Sequence, residues 1–258
     1  MAILSISKND NNNNNNNSNT EFQKLFLRRI NIDENKRIEF EDLPEVMRQF
    51  GLNIPFENSD VIGQEPCGIT KQYLIEKVLV KNQGGLCYHL NRLMYFFLVE
   101  CGFHVRQLVA TVWNPVTNKS WATPNGHCIA MITYDGNDYL VDVGFGLFLA
   151  LAPIPFKTVV FSRTGEYRWI PRPTEYGTHS LEWRPSPDNI QRLIHGDTHK
   201  EFNSIPLSTI LLEPSQGQAT ISGNSFTITK PNGEKVKELI SNEKRQELLE
   251  TIFKFKKK

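Results

Sequence analysis

Long apolar runs, an excess of charge of one sign, and cysteine are all scarce in this 258-residue sequence. No apolar run reaches the roughly 18 residues that a membrane-spanning helix needs, so we expect no membrane span. The N-terminus lacks a basic segment followed by an apolar stretch, and we expect no secretory signal. Lys and Arg number 29 against 28 Asp and Glu, which leaves a net charge of +1. Apart from a short basic tail at 254–258, which is typical of a solvated end, this balance gives no reason to expect nucleic-acid binding.

The chain contains four cysteines, Cys67, Cys87, Cys101 and Cys128. We expect a cytoplasmic protein, in which thiols stay reduced and no disulfide framework forms. No Cys-x-x-Cys pair is present, so we expect no structural zinc site and no other metal. Each cysteine is then either a small buried apolar residue or a reactive thiol. We interpret Cys67, Cys101 and Cys128 as structural.

Sequence periodicity divides the chain into parts. Residues 1–19 include an asparagine tract that cannot bury apolar area, and we predict a disordered tail. Residues 20–102 show helical periodicity, 103–212 alternate with the period of strands, and 213–258 mix strands with a helix. These patterns predict an α+β fold with an N-terminal helical part, a β-rich middle and a small α/β C-terminal part.

Capping residues predict where the helices begin. Asp42 is expected to cap a helix that carries Pro44 in its first turn, and Gly51 is expected to end it. Thr70 is expected to cap a second helix. A third helix is predicted over Cys87–Glu100, because an apolar stripe of helical period runs through this segment.

Cys87 stands out by its position. It follows Gly84 and Gly85, which are expected to allow a tight turn with positive φ, and it opens a predicted helix. A helix N-terminus offers free N–H groups and the positive end of the helix dipole, which drive a thiol toward the nucleophilic thiolate. The alternative is an ordinary glycine loop followed by a core cysteine. The choice between these two interpretations depends on which residues lie next to Cys87.

A nucleophilic thiol needs a base, and the base needs an orienting group. His127 begins one predicted strand, 127–133, and Asp142 lies inside the apolar run of the next, 139–145. A buried unpaired carboxylate costs several kcal/mol, so Asp142 is expected to have a partner. The alternative for His127 is a hydrogen-bonded core histidine without a catalytic role.

The turn between these two strands predicts their register. Asp135-Gly136 is typical of a two-residue type I′ hairpin turn. Pairing outward from this turn places Ile129 opposite Asp142. His127 and Asp142 then lie on the same face as diagonal neighbours, roughly 7–8 Å apart between backbones. The order cysteine, histidine, polar orienter, with helix before strands, is that of the papain-like constellation.

Several segments together resemble the active-site motifs of the arylamine N-acetyltransferase family, and the likeness runs from about residue 22 to residue 255. The segments are Gly84-Gly85-Leu86-Cys87-Tyr88-x-x-Asn91, Ile54-Pro55-Phe56-Glu57-Asn58, Gly126-His127 with the apolar strand that follows, and Tyr139-Leu140-Val141-Asp142-Val143-Gly144-Phe145-Gly146. The resemblance implies a papain-like cysteine-triad core with a central β-barrel-like part and a C-terminal α/β lid.

The same resemblance implies a catalytic triad of Cys87, His127 and Asp142. Acetyl-CoA would donate the acetyl group and the nitrogen of an arylamine or hydrazine would accept it, by a ping-pong reaction through an acetyl-cysteine intermediate. Phe56 and Phe145 match positions that line the acceptor pocket, and Gly126 matches a loop position near the pantetheine arm of the coenzyme. We expect a monomer.

Two residues depart from the family motif. Gln83 stands where the family has Arg, and His89 stands where it has Glu, so the charge interactions of these positions are altered. His89 is not expected to be a rival base for Cys87, because side chains two residues apart on a helix do not face each other.

Two other functions use the same residues. A cysteine protease or transglutaminase-like enzyme on the same triad would cleave or crosslink peptides without forming an acyl-enzyme from acetyl-CoA. A non-catalytic binding module that kept the fold would have an unreactive Cys87, and Gln83 and His89 are the residues that favour this alternative.

Overall fold

The computed structural model describes residues 18–63, 68–114, 119–120, 124–146, 149–162, 164–184, 207–211, 216–230 and 234–255. Most of the asparagine-rich segment, Cys67 and residues 256–258 of the basic tail lie outside these ranges.

Helices dominate the N-terminal part of the described chain. They are α1 (Glu21–Arg29), α2 (Leu43–Asn53, after a 3₁₀ turn at Phe40–Asp42), α3 (Ser59–Gly63), α4 (Lys71–Leu74, continued by a π-helical segment at Ile75–Val80) and α5 (Cys87–Glu100), and α6 (Asn242–Thr251) lies near the C-terminus. The predicted helix over Cys87–Glu100 is confirmed. Thr70 caps α4 as predicted, since its hydroxyl accepts from Tyr73 N at 3.3 Å.

Both predicted ends of α2 need correction. The helix begins after Asp42 with Pro44 in its first turn, but the Asp42 carboxylate does not cap it and instead accepts from Glu39 N at 3.0 Å in the preceding 3₁₀ turn. The helix also continues past Gly51 to Asn53. Asn53 is buried and its Nδ2 donates to Gln49 O at 2.8 Å, which supports the extra residues.

The main core lies between the helices and the sheet that carries the predicted histidine. Phe26 of α1 and Phe97 of α5 are fully buried and stack with ring centroids 3.8 Å apart. Ala130 and Ile132 face this core, whereas Met131, between them in the pleat, faces a second cluster. The strand is therefore buried on both faces, which holds its first residue rigidly.

The strands form separate antiparallel sheets. They are β1 (Phe56–Glu57), β2 (His104–Ala110), β3 (Trp113–Asn114), β4 (Lys119–Ser120), β5 (His127–Tyr134), β6 (Asn137–Val141), β7 (Ile154–Pro155), β8 (Val159–Ser162), β9 (Gly165–Ile170), β10 (Ser180–Arg184), β11 (Leu207–Leu211), β12 (Gln218–Ser222), β13 (Ser225–Thr229) and β14 (Lys235–Leu239). The orders are β2-β5-β6-β7, β10-β9-β8, β3-β4 and β1-β11-β12-β13-β14.

The predicted hairpin turn is confirmed. Asp135 and Gly136 have φ of 47° and 72°, and Tyr134 pairs with Asn137. The ladder continues to Ala130 opposite Val141, where β6 ends. The predicted strand to residue 145 was therefore too long, because the backbone leaves the ladder at Asp142.

The predicted central β-barrel-like part needs correction. Among the described residues of that part, the strands form a four-stranded and a three-stranded sheet rather than a closed barrel. The two sheets meet at a single bridge between Phe156 and Trp169, instead of through a continuous ladder. The α+β class holds, since helices and antiparallel sheets are both present.

The last sheet returns to the N-terminal part. Strand β11 pairs with β1, where Phe56 is opposite Thr209, and Phe56 also forms a parallel bridge with Gly85. Helix α6 packs on this sheet through Leu248, in a cluster with Phe226. The C-terminal sheet is thus continuous with the backbone that precedes Cys87. Within the described ranges, no helix has the length and apolar character needed to cross a bilayer.

Candidate active site

Close backbone packing decides where α5 begins. Gly85 N donates to Pro55 O at 3.3 Å, and Glu57 N donates to Gly85 O at 3.0 Å. A Cβ on Gly84 would lie 1.8 Å from Pro55 O, so no other residue fits without displacing a chain segment. Neither Gly84 nor Gly85 has the positive φ that the sequence predicted. These glycines permit close approach of two segments, and the chain then enters the helix at Cys87.

Cys87 is the first residue of α5 and is partly exposed. Its Sγ lies 3.6 Å from Gly126 O, and its thiol is also within hydrogen-bonding reach of the His127 imidazole. At this position its N–H has no intrahelical acceptor. A thiol, a ring nitrogen and a free N–H therefore meet at one point.

His127 is buried, 5% exposed, at the start of β5. Its Nε2 donates to Asp142 Oδ2 at 2.7 Å, which leaves Nδ1 for the thiol. The predicted pairing of His127 with Asp142 is confirmed. Burial alone would lower the pKa of His127, but the charge of Asp142, the hydrogen bond to it and the contact with Cys87 outweigh burial and raise that pKa to about 10.

Asp142 lies directly after β6 and is buried. Its Oδ1 accepts from Asn91 Nδ2 and from Gly144 N, both at 2.9 Å. Burial raises the pKa of a carboxyl, but the charge and hydrogen bond of His127, with the donors Asn91 and Gly144, hold the pKa of Asp142 below its usual value. The carboxylate is thus ionised and its position is constrained from three sides.

Asn91 connects the helix to the hairpin. It is fully buried, one turn after Cys87 on the same face of α5. Its Nδ2 donates to Cys128 O at 2.6 Å and to Asp142 Oδ1, and its Oδ1 accepts from Val143 N at 2.9 Å. Asn91 belongs to the motif around Cys87, but its contacts were not predicted from the sequence. Its spacing of four from Cys87, as a polar residue within an apolar helix, was the available signal.

The predicted pocket residues lie around this group. Phe145 is half-exposed, 39%, and meets the His127 ring edge-to-face with centroids 5.2 Å apart. A Cβ on Gly146, whose φ is +83°, would lie 2.9 Å from the Phe56 ring, so this glycine lets Phe56 lie flat against the backbone. Gly126 contributes the carbonyl beside Cys87. The structure therefore brings all six predicted site residues together.

Comparisons with known proteins agree with this geometry. A family model described as N-acetyltransferase matches residues 39–186. "Probable arylamine N-acetyltransferase 3" of Dictyostelium discoideum is 32% identical, over 87% of this chain and 89% of its own length. The chain belongs to the arylamine N-acetyltransferase family. Its members are acyltransferases, so the family inferred from the motifs is confirmed.

Solved structures of the family share the fold. An arylamine N-acetyltransferase of Bacillus cereus is 36% identical, with a TM-score of 0.82 over 92% of this chain and 100% of that one. It is described as having a Cys-His-Glu catalytic triad. Arylamine N-acetyltransferase C of Bacillus anthracis is 34% identical, with a TM-score of 0.81 and the same coverage.

In this N-acetyltransferase His89 and Gln83, the two residues that depart from the family motif, both make hydrogen bonds near the start of α5. His89 is buried, and its Nδ1 accepts from Leu86 N at 3.2 Å, so it caps the helix that begins with Cys87. Gln83 N donates to Lys77 O at 3.0 Å. The cap on His89 was missed in the sequence, although a polar residue three positions after a helix start is the known signal for it.

A buried ion cluster lies below the glycine loop. Lys77 Nζ is 2.9 Å from Glu57 Oε1 and 2.8 Å from Asp60 Oδ1, and all three residues are buried. Tyr73 donates its hydroxyl to Asp60 Oδ2 at 2.8 Å. The cluster ties the backbone around β1 to the helical segment that precedes the loop.

Cys101 and Cys128 are not placed for nucleophilic chemistry. Burial raises the pKa of both the Cys101 and the Cys128 thiols to about 11. Among the described residues, no three His, Cys, Asp or Glu side chains are grouped so as to hold a metal ion. Cys67 lies outside those residues.

Proposed function

We propose that this protein transfers an acetyl group from acetyl-CoA to the nitrogen of an arylamine or hydrazine, through an acetyl-Cys87 intermediate. Family membership supports the reaction class. The observation that carries the assignment to residues is the 2.7 Å contact between His127 Nε2 and Asp142 Oδ2, with the second ring nitrogen left for Cys87. Cys87 is the nucleophile, His127 the general base, and Asp142 the group that orients the imidazole.

In the first half-reaction His127 holds the proton of the Cys87 thiol as an imidazolium, in keeping with its raised pKa, and the Cys87 sulfur attacks the acetyl carbonyl carbon. The bond from that carbon to the sulfur of coenzyme A breaks, and the imidazolium returns the proton to the leaving thiolate. One thioester replaces another, so this step has little free-energy cost. The ionised Asp142 stabilises the imidazolium meanwhile, which agrees with the raised pKa of His127.

In the second half-reaction the amine nitrogen attacks acetyl-Cys87. His127 takes the proton from nitrogen, the carbon–sulfur bond to Cys87 breaks, and the amide leaves. Each tetrahedral intermediate carries an oxyanion that needs hydrogen-bond donors. The N–H of Cys87 is one candidate, because the first N–H groups of a helix have no intrahelical acceptor.

The surroundings of the triad suit an aromatic acceptor. Phe145, whose ring meets that of His127, and Phe56, whose ring lies against Gly146, are our candidates for the apolar walls of the acceptor pocket. Gly126, whose carbonyl oxygen is 3.6 Å from Cys87 Sγ, is our candidate for contact with the pantetheine arm of the coenzyme. An arylamine N-acetyltransferase of Mycobacterium marinum, 24% identical with a TM-score of 0.71, is known in complex with CoA.

The carboxylate that contacts His127 in this chain is an aspartate, Asp142, whereas the triad described for the Bacillus cereus relative contains a glutamate. In this chain the shorter carboxylate already reaches His127 while bound to Asn91 and Gly144. We propose that the Asp142 site is built for aspartate, and that glutamate would not fit without moving the segment 142–144.

We also propose the organisation into a helical part at 20–102, a β-rich part at 103–212 and an α/β lid at 213–258, for a monomeric cytoplasmic enzyme. Size-exclusion chromatography with light scattering would test the monomer.

Brief exposure to acetyl-CoA without amine tests the mechanism. Intact-protein mass spectrometry should show one added acetyl group per chain, absent from Cys87→Ser, and addition of an arylamine should discharge it. A protease or transglutaminase-like enzyme, or a binding module, would remain unmodified. A parent protein that stays unmodified yet acetylates an arylamine would rule out the covalent intermediate.

A further inference from the structure

The N-terminus of the nucleophile helix depends on a histidine. Leu86, which directly precedes the helix, has no side-chain group that could accept a hydrogen bond from the first turn. The Leu86 N–H itself is bound by His89 Nδ1 at 3.2 Å. A ring nitrogen that accepts a hydrogen bond carries no proton, so this contact requires a neutral imidazole with its proton on Nε2. Cys87 lies between the two ends of this bond.

The His89 ring has little room to move. It is 6% exposed, and a Cβ on Gly85 would lie 2.6 Å from His89 Cβ. On the other side its ring is 6.1 Å from that of Tyr73 between centroids. A protonated ring could not turn to find another acceptor without displacing these neighbours.

The groups around His89 come from several segments. Lys77, Glu57 and Asp60 form the buried ion cluster, Tyr73 packs on the ring, and Cys87 precedes it on the same helix. Burial lowers the pKa of His89, Lys77 lowers it further, and Asp60 and Glu57 oppose this change. The net direction favours the neutral ring that the hydrogen bond requires.

We propose that His89 is a positioning residue whose neutral imidazole holds the first turn of α5, and that its protonation on acidification releases this turn and withdraws Cys87 from His127. The proposal rests on the proposed function of Cys87 as nucleophile. A glutamate, which the family motif has at this position, would be able to accept the same hydrogen bond as a carboxylate throughout the neutral range. The histidine of this chain accepts only when neutral, so a pH dependence is added that the family motif lacks.

The pH range follows from the sign of the shift. Because the folded pKa of His89 is lowered, the contribution of its cap is complete above the ordinary histidine pKa of about 6.5 and is lost as the pH falls below that value. His127 and Asp142 do not titrate in the same range, because the pKa of His127 is raised and that of Asp142 is lowered. A loss of reactivity as the pH falls below about 6.5 can therefore be assigned to His89 by substitution.

The test is the rate at which Cys87 is alkylated by iodoacetamide, followed by peptide mapping from about pH 8 to about pH 5. In His89→Gln the amide oxygen accepts the same bond but does not titrate. This variant should match the parent at the high end and exceed it by severalfold at the low end. His89→Leu lacks the acceptor and should react roughly fivefold more slowly than the parent at high pH, as expected for a lost cap.

A constant ratio between His89→Gln and the parent across this range would overturn the proposal. So would His89→Leu reacting as fast as the parent at high pH while circular dichroism shows it folded. If the leucine variant does not fold, the glutamine variant alone decides. Nitrogen-15 NMR of the parent at neutral pH gives an independent readout, since a proton on His89 Nδ1 would contradict the proposal even if Cys87 is unreactive and the proposed function fails.

Discussion

Asn91 Nδ2 donates to Asp142 Oδ1 at 2.9 Å, one helical turn beyond Cys87. Through this contact the helix that carries the nucleophile and the hairpin that carries the base share one buried side chain. The positions of the thiol and of the imidazole are therefore coupled, although they lie on different elements.

Replacement of Asn91 by alanine should damage stability and activity together. The change leaves Val143 N without its acceptor and removes a donor from the Asp142 carboxylate, all in a fully buried site. An unsatisfied buried group costs about 1–3 kcal/mol, so we expect the free energy of unfolding in urea to fall by about that amount or more. Asn35→Ala, at an exposed asparagine, is the control and should change little. Equal stability of the two variants would contradict the coupling.

Asp142→Asn should fold but lose most of its turnover. The amide can hold a hydrogen bond, but it carries no charge to stabilise the imidazolium. In a serine triad the corresponding change lowers turnover by about 10⁴-fold. The pKa of His127, raised to about 10 in the parent, should fall in the variant, which NMR titration of the imidazole would measure.

The sign of the His127 shift also predicts how stability depends on pH. Its folded pKa is raised, so its contribution to stability is present below about 6.5 and is lost as the pH rises toward about 10. The parent should therefore lose more stability than Asp142→Asn between these limits in urea unfolding. Equal losses of stability in the parent and in Asp142→Asn would show that Asp142 does not stabilise the protonated form of His127.

Limiting iodoacetamide at neutral pH should label Cys87 in preference to Cys101 and Cys128. The last two have thiol pKa values raised to about 11 by burial, so almost none of either is thiolate at neutral pH. Peptide mapping after a short reaction measures the distribution. Label spread evenly over Cys101 and Cys128 would argue against Cys87 as the nucleophile.

Lys77→Met should be strongly destabilising. Its removal leaves the carboxylates of Glu57 and Asp60 buried without their cation. Breaking a buried pair in this way costs about 3–5 kcal/mol. Lys81→Met is the matched control, because the Lys81–Glu76 pair is more than half exposed on the lysine side and should contribute little. Similar urea midpoints for both variants would show that the cluster does not hold the glycine loop.

Local sequence determined the hairpin that pairs His127 with Asp142. Asp135-Gly136 favours one turn type, and side chains alternate along a strand, so a correct turn places every later residue on the correct face. The same holds for the helix from Cys87 to Glu100, whose apolar stripe predicted both of its ends. These features depend on neighbours a few residues away, which a single sequence contains in full.

Contacts between distant segments were decided only in the tertiary structure. Strand β6 stops at Val141, directly before Asp142. The Asp142 carboxylate is bound by Asn91, from 51 residues earlier in the chain, and by Gly144 N, and these contacts draw the backbone out of the ladder. Gly84 and Gly85 are likewise explained by a distant segment, because they allow the chain to approach Pro55 closely and do not have a positive φ. The neutral cap on His89 and the charges around Lys77 likewise come from the packing of separate elements. Periodicity and turn chemistry describe only local geometry, so they could identify the reactive residues but not the buried polar contacts that hold them in place.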